Sequence, residues 1–374
     1  MTGMNQTVAS GESGTKESAQ HIAYVGTYSQ NGSQGIYRIQ FDSETGSLKL
    51  LEGTNAIENS SFLAIHPNKK YLYAVSEVAK YKGEDTGSVV AYRIEGDQGE
   101  LVELNQLATG GAVPCHLSVD TTGHSLVLAN YTGGSIASFR LKDNGELDSP
   151  MASLMQRHGQ SINKDRQESA HAHSANISAD NRFVYAADLG IDQIIIYRLD
   201  PQTAKLSAND PSIIKVKPGS GPRHFTFHPQ KDFAYVLNEL SCDVIAFKRN
   251  PGNGDLEALQ TIPTVPEVKP GYSTAEIRVH PNGKFLYASN RGHNSLAIYR
   301  IDQSTGLLTT LGNEPTGGEM PRNFNFDPTG KFILAANRVS NNIIVFRINQ
   351  ETGLLNRTKN EIEIPMPVCI RFLK

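Results

Sequence analysis

Short apolar runs of alternating polarity recur along this chain, separated by polar turns. In STAEIRVHPNGKFLYASNR, which starts at Ser273, Ile277 and Val279 alternate with polar neighbours, and His280-Pro281-Asn282-Gly283 turns the chain into a second run, Phe285-Leu286-Tyr287-Ala288. A third run, Leu296-Ala297-Ile298-Tyr299, follows a polar loop, and Thr305-Gly306-Leu307 turns the chain toward a fourth. Alternation over short runs bounded by Gly, Pro, Asn and Asp predicts strands, and four in succession predict one antiparallel sheet. No helical periodicity of any length interrupts the pattern, which removes α/β readings.

The unit repeats. Related stretches start at Ser61, Val113, Ala172, Gly221 and Met320, and the first turn of each copy falls at His66, Asp120, Ser178, His228, His280 and Asp327. The spacings are 54, 58, 50, 52 and 47 residues. Repeats of about 40–50 residues with four strands each are the mark of a β-propeller. Six copies are complete. The C-terminal Pro367–Phe372 matches only a first strand, and the N-terminal Ile22–Thr27 matches only a second. The prediction is an all-β, seven-bladed β-propeller with four antiparallel strands per blade, its ring closed by pairing of the N- and C-terminal strands in one blade. Closure also hides sheet edges. Residues 1–20 read as a disordered polar leader and 21–374 as a single propeller domain.

Composition adds little beyond this. A net charge of −3 and 20% charged residues point to neither nucleic acid nor membrane as partner, and no run nears the roughly 20 apolar residues that span a bilayer. Cys115, Cys242 and Cys369 have no C-x-x-C spacing, which argues against a disulfide framework or structural zinc and for a reducing cytoplasm.

In an antiparallel pair the start of the first strand and the end of the second share one end of the sheet. If first strands line a central channel, one mouth then gathers His173, Arg223 and Arg322 from strand starts, and Glu239, Arg291 and Arg338 from strand ends. The positions just after the starts add His224 and Glu276, and His171 stands two residues before His173. Arginines suit an anionic ligand, and a His and a Glu beside them suit proton transfer. His171-x-His173 has a metal-like spacing, but alternate strand residues point to opposite faces, so no metal is expected. His66, His228 and His280 read as turn residues, and Cys115 and Cys369 as packing.

The strings Gly221-Pro222-Arg223-His224 with Asn238-Glu239, His173–Ser178, and Pro321-Arg322-Asn323-Phe324 resemble the lactonase seven-bladed propellers. That group holds the bacterial propeller-type 6-phosphogluconolactonases and the fungal carboxymuconate-lactonising enzymes. The resemblance runs from about residue 21 to the end. It implies hydrolysis of a small anionic sugar lactone, 6-phospho-D-glucono-1,5-lactone, in the pentose phosphate pathway, without metal or cofactor, by a monomer or weak homodimer. It also places His173, Arg223, Glu239 and Arg291 at the positions assigned to the active site in the muconate branch. On this reading His173 or Glu239 deprotonates water and Arg223 steadies the oxyanion. Arg291, Arg322 or Arg338 grips phosphate, and His171, His224 and Glu276 contact substrate. Three other readings remain: a carboxymuconate cycloisomerase, a non-catalytic binding platform, and an exported lactonase or a sugar-binding protein whose catalysis has been lost.

Overall fold

The computed structural model describes residues 19–55 and 57–373; the leader read at 1–20 lies, up to residue 18, outside the described residues. Seven four-stranded antiparallel sheets form a ring. Blade 1 joins Gln20–Thr27, Gly35–Asp42 and Leu48–Asn55 to the last strand, Pro367–Leu373. Ile22 lies opposite Leu373 and Gly26 opposite Cys369, so chain end and chain start close the ring as the repeat count predicted. Blades 2 to 7 follow in order, their innermost strands being Leu63–Ile65, Pro114–Val119, Ala172–Ile177, Pro222–Phe227, Ser273–Val279 and Pro321–Phe326. Each innermost strand packs against the next around the channel.

The second strand of every blade lies between two neighbouring sheets. From Tyr71–Ser76 to Phe332–Asn337 in blades 2 to 7, these strands are buried along their full length. Their middle positions are therefore apolar in succession, as in Leu126–Ala129 and Ile333–Ala336, where a one-faced strand would alternate, and polar residues such as Asn130, Asp188 and Asn337 stand at their ends.

A repeated hydrogen bond locks neighbouring blades. The hydroxyls of Tyr24, Tyr73, Tyr185, Tyr235 and Tyr287 donate to the carbonyls of Gly99, Gly145, Gly254, Gly306 and Gly353 in the following blade, at 2.7–3.0 Å. Gly306 shows why glycine is required there. Its φ is +75°, and a Cβ would stand 2.5 Å from the Phe233 ring. On the inner turns, His66, His228 and His280 reach the carbonyls of Gly123, Gly283 and Gly330, again one blade on.

The innermost strands carry bulges at one end. The register slips between Pro114 and His116, Ala172 and Ser174, Pro222 and His224, and Pro321 and Asn323. Each slip leaves one extra residue: Cys115, His173, Arg223 or Arg322. A bulge re-aims a side chain, so two consecutive residues per strand turn toward the channel. Just before several of these strands, Val113, Met320 and Met366 adopt φ of +58°, +58° and +46°, a region unfavourable for non-glycine residues.

Removing one inter-blade bond tests its worth. Tyr235→Phe strands the buried Gly306 carbonyl and should lower unfolding free energy by about 1–2 kcal/mol. Gly306→Ala, which adds both a steric and a backbone conflict, should cost more. Denaturant midpoints of the two variants check the ranking.

Candidate active site

The bulged ends open on a cavity of about 270 Å³ lined by Tyr28, Glu77, Cys115, Tyr131, Arg166, His173, Glu239, Arg291 and Arg322. At its centre stands the Glu239 carboxylate, 3% exposed. Its Oε1 accepts from Arg166 at 2.6 Å; its Oε2 accepts from Arg223 Nε at 2.8 Å and lies 3.0 Å from Arg291. Burial alone would raise the Glu239 carboxyl, but Arg291, Arg223 and Arg166 outweigh it and hold the group well below the usual carboxylate range. Both oxygens are therefore occupied by charged donors.

His173 points its Nε2 toward the same carboxylate at 3.9 Å. Burial, helped by the nearby Arg223, His224 and Arg322, drives its pKa well below the ordinary imidazole value, so the ring is neutral. Tyr131 sets its edge, with ring centroids 5.3 Å apart. Across the mouth Arg322 lies over the Tyr28 ring at 5.3 Å and 3.9 Å from Glu77. Glu77 in turn accepts from the Tyr28 hydroxyl at 2.9 Å and from Ser61. Burial pushes the Cys115 thiol up, which keeps it protonated and unreactive.

The guanidinium groups of Arg166, Arg223, Arg291 and Arg322, with Arg338 close enough to act on Arg322 and Glu77, outnumber the two carboxylates, Glu77 and Glu239. With His173 neutral, the mouth is net positive toward a ligand.

The structure brings His173, Glu239, Arg291 and Arg322 together around the cavity, sets Arg223 and Arg338 next to them, and places His171, His224 and Glu276 off its lining. Arg223 is 1% exposed and sits behind Glu239, giving its other nitrogen to the Ala275 carbonyl. Burial, with Arg322 and Arg291 nearby, pushes it down to about 10, so it stays charged at neutral pH. His171 faces away from the cavity. It stacks under Tyr131 at 4.6 Å, with its Nε2 2.8 Å from Glu168, and braces that ring. Arg338 is half-buried beyond the lining residues. His224 and Glu276 lie one level deeper, 3.1 Å from one another, and line the cavity at the opposite mouth; the His224 ring also forms the floor beneath the site, 5.4 Å from that of His173. The extra residue in each bulge separates the two levels, and nothing in a strand pattern announces it.

Arg166 went unpredicted. It comes from the loop between Ser153–Gln156 and Ala172–Ile177, outside the repeat, and also donates to the Tyr131 hydroxyl at 3.2 Å. Its one signal is the 58-residue spacing from Asp120 to Ser178, the longest of the series.

Comparison with known proteins follows the same lines. The family profile described as "Lactonase, 7-bladed beta-propeller" matches residues 22–372. A 6-phosphogluconolactonase of Bacillus subtilis is 35% identical over 354 residues, covering 94% of this chain and 98% of its own. One from Formosa agariphila is 38% identical over 308 residues, covering 81% and 86%. The solved structure of the periplasmic gluconolactonase of Pseudomonas aeruginosa superposes with a TM-score of 0.88 at 33% identity, covering 95% of this chain and 99% of the other.

Neutral burial of imidazoles carries a stability signature. His116 and His173 are held well below their ordinary value, and His224 is pushed down to about 4, in each case chiefly by burial. In the unfolded chain the same groups take up protons near pH 6.5. Between those limits the unfolded state binds more protons, so stability should fall as pH drops from about 6.5 toward 4. Denaturant unfolding at pH 7.5, 6 and 5 checks this; a flat series would contradict it.

Proposed function

This chain belongs to the lactonase seven-bladed β-propeller family, and on that premise we propose that it hydrolyses 6-phospho-D-glucono-1,5-lactone to 6-phosphogluconate. The observation that carries the reading is the net positive charge of the mouth, where guanidinium groups outnumber carboxylates, which suits a phosphate dianion. The names of the Bacillus and Formosa relatives support it.

The roles divide by access. Glu239 has both oxygens committed to arginines and acts by orienting them, which leaves neutral His173 as the base. Its Nε2 takes a proton from water as the water oxygen attacks the lactone carbonyl carbon. The carbonyl oxygen gathers negative charge, and Arg291, on the Glu239 side next to His173, lies nearest to steady it. Collapse breaks the bond from that carbon to the ring oxygen, which leaves as a hydroxyl with the proton from His173. Arg166 and Arg322, at the rim, hold the phosphate. Arg223 acts through Glu239, so it is a positioning residue.

Three buried, unpaired cysteines favour a cytoplasmic setting, while the similar Pseudomonas protein is described as periplasmic.

The test is turnover of 6-phosphogluconolactone, followed by coupled oxidation of the product, beside unphosphorylated gluconolactone. Wild-type protein should outpace spontaneous opening and prefer the phosphorylated ring. Arg166→Gln should raise KM for that substrate with little loss of kcat, because it removes binding shared by ground and transition states. His173→Gln should lower kcat by about 10²–10⁴-fold. A wild-type rate no faster than buffer sinks the proposal.

The same assay reads the base. The acid limb of kcat, which reports the bound complex and not the free substrate's phosphate, should lie well below pH 6.5, because His173 resists protonation. An inflection at the ordinary imidazole value would transfer the role to another group.

A further inference from the structure

The channel has a second mouth. Phe62, His116 and His224 pack ring to ring at 4.3–5.8 Å and plug the middle of the channel. Beneath that plug a separate cavity of about 450 Å³ opens on the far face, and its lining includes Arg278, Asn325 and Arg371. These three stand on neighbouring innermost strands, of blades 6, 7 and 1.

The charges there do not balance. Glu276 is buried and already engaged by His224 at 3.1 Å, by Arg278 at 3.3 Å and by Asn323. It therefore neutralises Arg278. The Arg371 guanidinium donates to the Ile370 carbonyl and lies over the Phe62 ring at 4.6 Å. Among the described residues no carboxylate lies within salt-bridge distance of it; Glu276, already engaged by His224 and Arg278, is the carboxylate whose charge it feels. Burial, with Arg278 nearby, outweighs Glu276 and pushes its pKa down, which an incoming anion would relieve. One positive charge is left over in a cavity whose remaining polar wall is neutral: Ser118, Asn176 and Thr226. Phe227 and Phe372 add apolar faces.

We propose that this far mouth is a second binding site, for a small polyhydroxylated monocarboxylate such as an aldonate. Arg371, assisted by Arg278, takes the carboxylate. Ser118, Asn176 and Thr226 meet the hydroxyls, and the Phe rings cover the carbon face of the chain. The single surplus charge suits a monoanion, in contrast to the more strongly positive mouth around Glu239. The inference stands on this cavity alone and does not depend on the reaction assigned to the other end.

Calorimetric titration with D-gluconate, D-glucitol and acetate tests it, on wild type and on Arg371→Gln, Thr226→Asp and Arg322→Gln. Gluconate should bind wild type and Arg322→Gln alike, and at least about tenfold more weakly to Arg371→Gln. Thr226→Asp keeps both arginines, adds a repelling carboxylate and should weaken gluconate similarly, so the result does not hang on one buried substitution. Glucitol, which lacks the charge, and acetate, which lacks the hydroxyls, should each bind more weakly than gluconate. Lactone turnover by Thr226→Asp should stay within about twofold of wild type, since the plug separates the two ends. The proposal is overturned if gluconate fails to bind wild type, if glucitol binds as well, or if Arg322→Gln abolishes gluconate binding while Arg371→Gln and Thr226→Asp leave it intact.

Discussion

The structure depends on the ring being closed. Seven twisted sheets can bury both faces of their second strands only if every blade has a neighbour on each side, and the pairing of Pro367–Leu373 with Gln20–Thr27 provides the last of those neighbours. Apolar packing between sheets has no direction of its own. The tyrosine-to-glycine hydrogen bonds supply one, because each ties a second strand to a particular outer turn of the following blade. Angular position around the channel is set in this way, and so are the distances between side chains that enter it from different blades.

Those distances matter most at Glu239. A buried carboxylate is costly in isolation and tolerable only with partners. Here Arg223 comes from the same blade, Arg291 from the next, and Arg166 from a loop that reaches in from the other side. The carboxylate holds together cations that would otherwise repel one another, and in doing so it leaves the rim arginines with charge to spare. Keeping His173 unprotonated follows first from its burial and then from the same concentration of positive charge. Stability and site electrostatics are two readings of one cluster.

Much of the architecture was legible because it is periodic. The four-strand unit, the count of seven and the closing strand follow from recurring runs such as Phe285–Ala288 and from the unmatched ends at Ile22 and Phe372. The site was legible only in part, and the reasons are local. Glu239 and Arg291 sit at the strand ends where strand geometry puts them, and His173 and Arg322 reach the same mouth as the extra residues of bulges at the strand starts. His224 and Glu276 were assigned to the same mouth because an ideal strand cannot show that the residue before each level is an extra one: a bulge changes which way side chains point without changing composition. His171 precedes the bulge and turns outward to brace Tyr131. Arg166 belongs to no repeat, so no comparison among blades could find it; only the length of its loop stood out.

The plug formed by Phe62, His116 and His224 turns one channel into two cups set back to back. Side chains that face one cup are set at a different level of the same strands from those that face the other. Substitutions can therefore accumulate at one face while the opposite face keeps its chemistry. A propeller of this design offers evolution two independent surfaces on a single scaffold, so relatives that share a reaction at one end are free to diverge at the other.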